Sequence, residues 1–143
     1  MPEFNTWLPW AIMSAAFAAL TAIFAKIGVQ DIDSTAATFI RTVIIAVILG
    51  AIVMAREVMP PLTAISARTY IFLGLSALAT GASWVCYFRA LQLGDAARVA
   101  PIDKFSVVLV AVFGALLLGE RLTAINWFGI ILTAAGLILV ALG

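Results

Sequence analysis

The chain has 143 residues, 65% of them apolar and 10% charged, with a formal net charge of +1 and a mean hydropathy of +1.20. Soluble domains average about 45–50% apolar and about 25% charged residues, so a water-soluble globule is excluded. So is an electrostatic nucleic-acid surface, because the positive residues form no run or stripe.

The chain has no histidine, which removes both the commonest general base and the commonest zinc ligand. There is no metal-ligand spacing, and no cofactor is expected. Cys86 is the single cysteine and has no partner for an intrachain disulfide.

A helix needs about 20 apolar residues to cross the hydrocarbon core of a bilayer, and five stretches meet that requirement. The first runs from about Trp7 to Val29. The segment ahead of it, Met1-Pro2-Glu3-Phe4-Asn5-Thr6, has no positive n-region, and no small-residue cleavage site interrupts the apolar run. A retained helix is therefore expected and not a cleaved signal peptide. The second stretch runs from Ser34 to about Met54, with Asp33 or Ser34 as its N-cap. The third runs from about Thr69 to Leu91, the fourth from Asp95 to about Leu118, and the fifth from about Leu122 to Leu142.

Gln30-Asp31-Ile32-Asp33 joins the first two stretches and Gln92-Leu93-Gly94 the third and fourth. Only Ala55 to Arg68, with Pro60-Pro61, has the length of a real loop. Backbone in lipid must satisfy its own hydrogen bonds, so turns this tight make successive helices antiparallel. The fold class expected is all-α: a polytopic integral membrane protein with five transmembrane helices, residues 1–143 forming a single domain.

The second half of the chain carries a recognisable pattern. Ala96-Ala97-Arg98-Val99-Ala100-Pro101-Ile102 opens the fourth segment, and Leu116-Leu117-Leu118-Gly119-Glu120-Arg121-Leu122-Thr123 closes it. Trp127-Phe128-Gly129-Ile130 and Ala135-Gly136-Leu137-Ile138 follow. This is similar to the EamA domain of the drug/metabolite transporter superfamily, most specifically in Gly119-Glu120-Arg121-Leu122-Thr123 and the glycine-spaced last helix. The resemblance spans the chain in layout, with its motifs concentrated between about Gly81 and Gly143. It implies a half-size, five-helix member of a family in which most chains carry two fused units. It also implies a transporter of metabolites or drugs in the cell (inner) membrane.

Intramembrane charges are costly and mark functional sites by default. From the side that holds the first and third turns, Arg41 is about 10 Å into the second helix. Asp103 and Lys104 are about 12–14 Å into the fourth. Thr21 and Ser83 fall about 12 Å from the same side, with Thr80 a turn deeper. Ser76, Thr80, Ser83 and Tyr87 recur at steps of four, three and four, on one side of the third helix. Pro101 removes a hydrogen bond to the carbonyl of Ala97 and favours a kink ahead of Asp103, a feature of transporter sites. The substrate-binding set expected is Arg41, Asp103, Lys104, Thr80, Ser83, Thr21 and Tyr87.

Other roles exist for these residues. Arg41 and Asp103 can form a structural ion pair, the hydroxyls can bond between helices, and Tyr87 suits an interfacial belt with Trp7, Trp10 and Trp127. Lys26, Arg89 and Arg98 are placed to snorkel. Glu120 reads as structural, capping or pairing with Arg121. Adjacent residues on a helix diverge by about 100°, so Asp103 is poorly placed to serve both Arg41 and Lys104. That leaves Lys104 as an unpaired cation suited to an anionic or zwitterionic solute.

Gly129, Thr133 and Gly136 form a small-residue seam on the fifth helix, the expected dimer interface; the alternative is packing within the chain. Arg56, Arg68 and Arg121 on one side balance Lys26, Arg89 and Arg98 on the other, so the positive-inside rule has nothing to act on. Dual topology and an antiparallel homodimer are expected. The function expected is transport of a small metabolite, with a non-transporting assembly or scaffold protein as the competing reading. An intramembrane enzyme is disfavoured, since Ser-His chemistry lacks its histidine and Gly94-Asp95 lies at a turn.

Overall fold

The computed structural model describes residues 4–143, with side chains from Thr6 onward. The described chain is helical, with no strand, and five of its segments are long and apolar enough to cross a membrane. Helix α1 is Phe4–Gly28 and carries Pro9 in its opening turns. Helix α2, Ser34–Ala55, is capped by Asp33, whose Oδ1 accepts from the backbone N–H groups of Thr35 (2.9 Å) and Ala36 (3.1 Å). These two donors hold the Asp33 carboxyl below the ordinary aspartate range, because they favour the charged form. Thr38 and Thr42 return their hydroxyls to the carbonyls four residues back, at 2.8 and 2.7 Å. That lets polar side chains sit in an apolar helix without orphaned donors.

After α2 the chain turns through Glu57, which holds a positive φ of 53°. It passes Pro60-Pro61 and a short 3₁₀ turn, Leu62–Ala64, and enters α3, Ala67–Leu93. The Tyr70 hydroxyl donates to the carbonyl of Leu62 (3.0 Å) and ties this loop to the start of α3.

The fourth apolar span, Ala96–Leu117, departs from the continuous helix expected of it. It consists of α4, Ala96–Asp103, and α5, Ser106–Leu117, separated at Lys104-Phe105. The N–H groups of Lys104 and Phe105 bond three residues back, to Pro101 (2.9 Å) and Ile102 (2.9 Å), and Val107 and Val108 bond likewise to Lys104 and Phe105. The α-helical ladder is thus replaced by tighter 3₁₀ spacing, with poorer hydrogen-bond geometry. The break falls after Asp103, three residues beyond Pro101, and not ahead of Asp103. Helix α6, Ala124–Leu142, opens with a capping box between Thr123 and Asn126, which satisfies donors at the helix N-terminus reciprocally.

The chain divides into two compact units: one holds the chain up to Phe24 with Gly94–Gly143, the other Ala25–Leu93. In the second, α2 packs on α3. Side chains secure the turn after α1 to the end of α3. Gln92 Nε2 donates to the carbonyls of Val29 (2.8 Å) and Ile32 (2.7 Å), and Lys26 Nζ donates to that of Leu91 (2.6 Å). Each net hydrogen bond is worth about 0.5–1.5 kcal/mol, so the two from Gln92 contribute about 1–3 kcal/mol. In the first unit, α6 packs on α4 and α5, and the Arg98 guanidinium reaches the carbonyl of Ala141 (3.4 Å).

Lys26 and Arg98 therefore do more than snorkel. Each meets the last carbonyls of a helix, where a cation is favoured by the dipole. Arg89 bonds the Gln92 side chain (3.1 Å).

Among the described residues, the buried apolar side chains are Ala22 in the first unit and Val29, Phe88 and Leu91 in the second, where Ser34 and Thr38 are also buried. Most of the other large apolar side chains face outward. That suits a lipid solvent, which supplies no hydrophobic force to close a core.

Candidate functional site

Within the unit Ala25–Leu93, Arg41 is half-buried. Its Cζ stands 4.3 Å from the centroid of the Trp84 ring and 5.5 Å from that of Phe88. Trp84 and Phe88 are four residues apart on α3 and so stack one above the other on its surface. A guanidinium over an aromatic face gains about 0.5–1 kcal/mol when exposed and about 2 kcal/mol when desolvated. Its five N–H donors stay in the plane of the group.

Tyr87 lies within electrostatic reach of Arg41, and its ring is 6.4 Å from that of Phe88. Thr80 and Ser83 continue the same side of α3 one turn earlier and are exposed. The structure thus brings Arg41 and Tyr87 within electrostatic reach of each other, while Thr80 and Ser83 lie further along α3. It adds Trp84 and Phe88, which the sequence reading left out. A signal for them existed: Trp84 is about 14 Å inside α3 from Leu93, well past the interface where tryptophan concentrates.

The other unit holds Thr21, half-buried on α1 beside buried Ala22, and the break between α4 and α5. Lys104 Nζ donates to Asp103 Oδ2 at 3.1 Å, with the side chains 55% and 34% exposed. Lys104 is therefore not the unpaired cation that the sequence suggested. The 100° argument assumes a continuous helix, and α4 stops at Asp103, so the long lysine side chain is free to turn back.

The Gly119-Glu120 motif forms the corner between α5 and α6. Gly119 takes φ +69°, a conformation open to glycine at little cost. The chain then doubles back, so that the Glu120 N–H meets the carbonyl of Gly114 (3.1 Å), which also accepts from Leu118 (3.1 Å). Glu120 Oε2 comes to 2.6 Å from where a Cβ on buried Gly114 would stand. Glu120 is thus a structural element of this corner, its carboxylate folded over Gly114.

On α6, Gly129, Thr133 and Gly136 are all exposed, and a Cβ added at either glycine meets nothing within 4 Å. The Thr133 hydroxyl donates to the Gly129 carbonyl (2.9 Å), so the seam carries no unsatisfied donor.

Residues 5–142 match the EamA-like transporter family. The chain is 58% identical over 137 residues to a protein of Sinorhizobium sp described as an "Uncharacterized transporter in cobO 3'region", covering 96% of this chain and 97% of that one. No solved structure matches the chain significantly. With five membrane-spanning segments and a family match over nearly its whole length, the chain belongs to the EamA-like transporter family and is a multi-pass membrane transporter.

Proposed function

We propose that the protein is a secondary transporter or exporter that moves a small metabolite across the cell (inner) membrane by alternating access, as an antiparallel homodimer of single five-helix EamA units. The observation that carries this reading is the open seam of α6 on a chain holding one such unit. Small residues let membrane helices approach closely, and Gly129 and Gly136 have unfilled space beside them.

An odd number of spans means that a parallel pair cannot generate the inverted repeat on which alternating access commonly relies. An antiparallel pair can. The balance of three cations against three at the two surfaces permits both insertions. Reporter fusions after Gly143 should give both cytoplasmic and external signals from one population. A one-sided signal would refute the antiparallel pair.

A further inference from the structure

The transport reading leaves open what the protein carries, and the surroundings of Arg41 bear on that. Arg41 is about 10 Å inside α2, counted from Ser34 at about 1.5 Å per residue, about a third of the way through a hydrocarbon core about 30 Å thick. A guanidinium at such depth normally pairs with a carboxylate. Neither α2 nor α3 contains an acidic residue. In the same unit, Asp33 is engaged as the cap of α2, and Asp31 and Glu57 lie in the turns outside the spans. The one carboxylate inside any described span, Asp103, carries Lys104 at 3.1 Å. Lys26, Arg68, Arg89 and Arg98 stand within four residues of the ends of their spans, so the charges deep inside the spans are Arg41, Asp103 and Lys104. With Asp103 on Lys104, the unmatched positive charge among them is Arg41.

The orientation of the side chain says what the charge is for. Along a helix, Cβ points toward the N-terminus, so an arginine on α2 has its easy route back toward the Ser34 end, where it would snorkel to headgroups. The Arg41 guanidinium instead stands closer to Trp84 than to Phe88 (4.3 against 5.5 Å), and Trp84 is the deeper of the two along α3. There the group lies over two aromatic rings, which attract it without taking up its N–H donors in hydrogen bonds. Among the described residues of its unit no carboxylate engages it, so the N–H fork is left for an acceptor that comes from outside. A planar fork of this kind matches a carboxylate or a phosphate two bonds at a time.

We infer that Arg41, held on the Trp84–Phe88 platform, is the anion-recognising group of the transport site, and that the transported solute bears a carboxylate or phosphate. This rests on the transporter reading above and names its substrate class. Lys104, neutralised by Asp103, is not that group.

The test uses the full chain in phosphatidylcholine vesicles on a solid-supported membrane, pulsed with inorganic phosphate, benzoate, benzylammonium or benzyl alcohol. The expected result is a saturable charge displacement for phosphate or benzoate and none for benzylammonium or benzyl alcohol. Arg41→Gln should abolish it. Arg41→Lys keeps the charge but loses the fork, and should weaken apparent affinity about tenfold or more, the loss of one charge-assisted hydrogen bond. Trp84→Leu, which removes the platform and not the charge, should also weaken it, so the inference does not hang on one variant.

A response to benzylammonium that survives Arg41→Gln overturns the inference and leaves the transporter reading standing. Silence toward both anions overturns it as well. Repeating the pulses with phosphatidylglycerol added separates solute from lipid: a response suppressed by the anionic lipid would assign the fork to a headgroup and refute the solute assignment.

Discussion

The Asp103–Lys104 pair offers a direct measure of the medium around the break. Its ions are 3.1 Å apart, which in water corresponds to a Coulomb attraction of about 1.3 kcal/mol. Ordering a lysine side chain offsets part of that, so a pair facing water should show a coupling of about 1 kcal/mol or less. The same ions in lipid behave differently. Neutralising one strands the other, at about 2.5–3.5 kcal/mol for a charge in the membrane interior. The lysine side chain is 55% exposed, and non-helical backbone at membrane depth is tolerated where it lines a watery cavity or lies buried in protein. With the lysine not buried within the chain, the watery cavity is the alternative that remains. A double-mutant cycle with Asp103→Asn, Lys104→Gln and the double variant, unfolded by SDS titration in mixed micelles, should therefore give a coupling no larger than about 1 kcal/mol. That is roughly a fivefold change in an equilibrium constant, and it should shrink further with added salt. A coupling of about 3 kcal/mol or more, indifferent to salt, would refute the assignment of this break to a water-lined space.

Gly136→Leu should shift the detergent-purified protein from dimer to monomer on a sizing column while its helical content is unchanged, because a Cβ at this position meets nothing within 4 Å in the chain but the leucine overfills a close helix contact, at about 1–3 kcal/mol. An unchanged dimer would count against α6 as the interface. The Asp33 cap has a pH signature. Its carboxyl is depressed from the ordinary 3.8, so the contribution of the cap is complete above that value and lost as pH falls through the lower folded value. Backbone amide exchange at Thr35 and Ala36, corrected for intrinsic rates, should show loss of protection only below about pH 3.8. Loss of protection near neutrality would contradict the cap.

The five spans were legible because hydropathy over 20 residues is a local property that lipid enforces. Asp33 and the loop around Pro60-Pro61 were legible for the same reason: caps and breakers act within a few residues. The break in the fourth span was half legible. Pro101 announced a distortion, but its place after Asp103 depends on hydrogen bonds that shift from four residues back to three, which no single residue type encodes. Lys104 was misjudged through a helix geometry that this break suspends. Lys26 and Arg98 find carbonyls on other helices, 65 and 43 residues away, and pattern within a segment carries no trace of that. The depth of Trp84 along α3 was a signal in the sequence, but its pairing with Phe88 under Arg41 depends on the packing of α2 on α3.

The interruption at Lys104-Phe105 also splits one macroscopic dipole into two. Eight residues of α4 and twelve of α5 span about 12 and 18 Å, so neither half crosses the hydrocarbon core alone. Each aligned helix behaves as if it carried about half a positive charge at its N-terminal end and half a negative one at its C-terminal end. At the break, the negative end of α4 meets the positive end of α5 head to tail, so the two largely cancel. What remains is the 3₁₀ hydrogen bonding of Lys104, Phe105, Val107 and Val108, whose poorer geometry leaves the carbonyls there more open to a further donor. That property belongs to the backbone, so the double variant Asp103→Asn/Lys104→Gln would still present an approaching solute with polar groups at that depth.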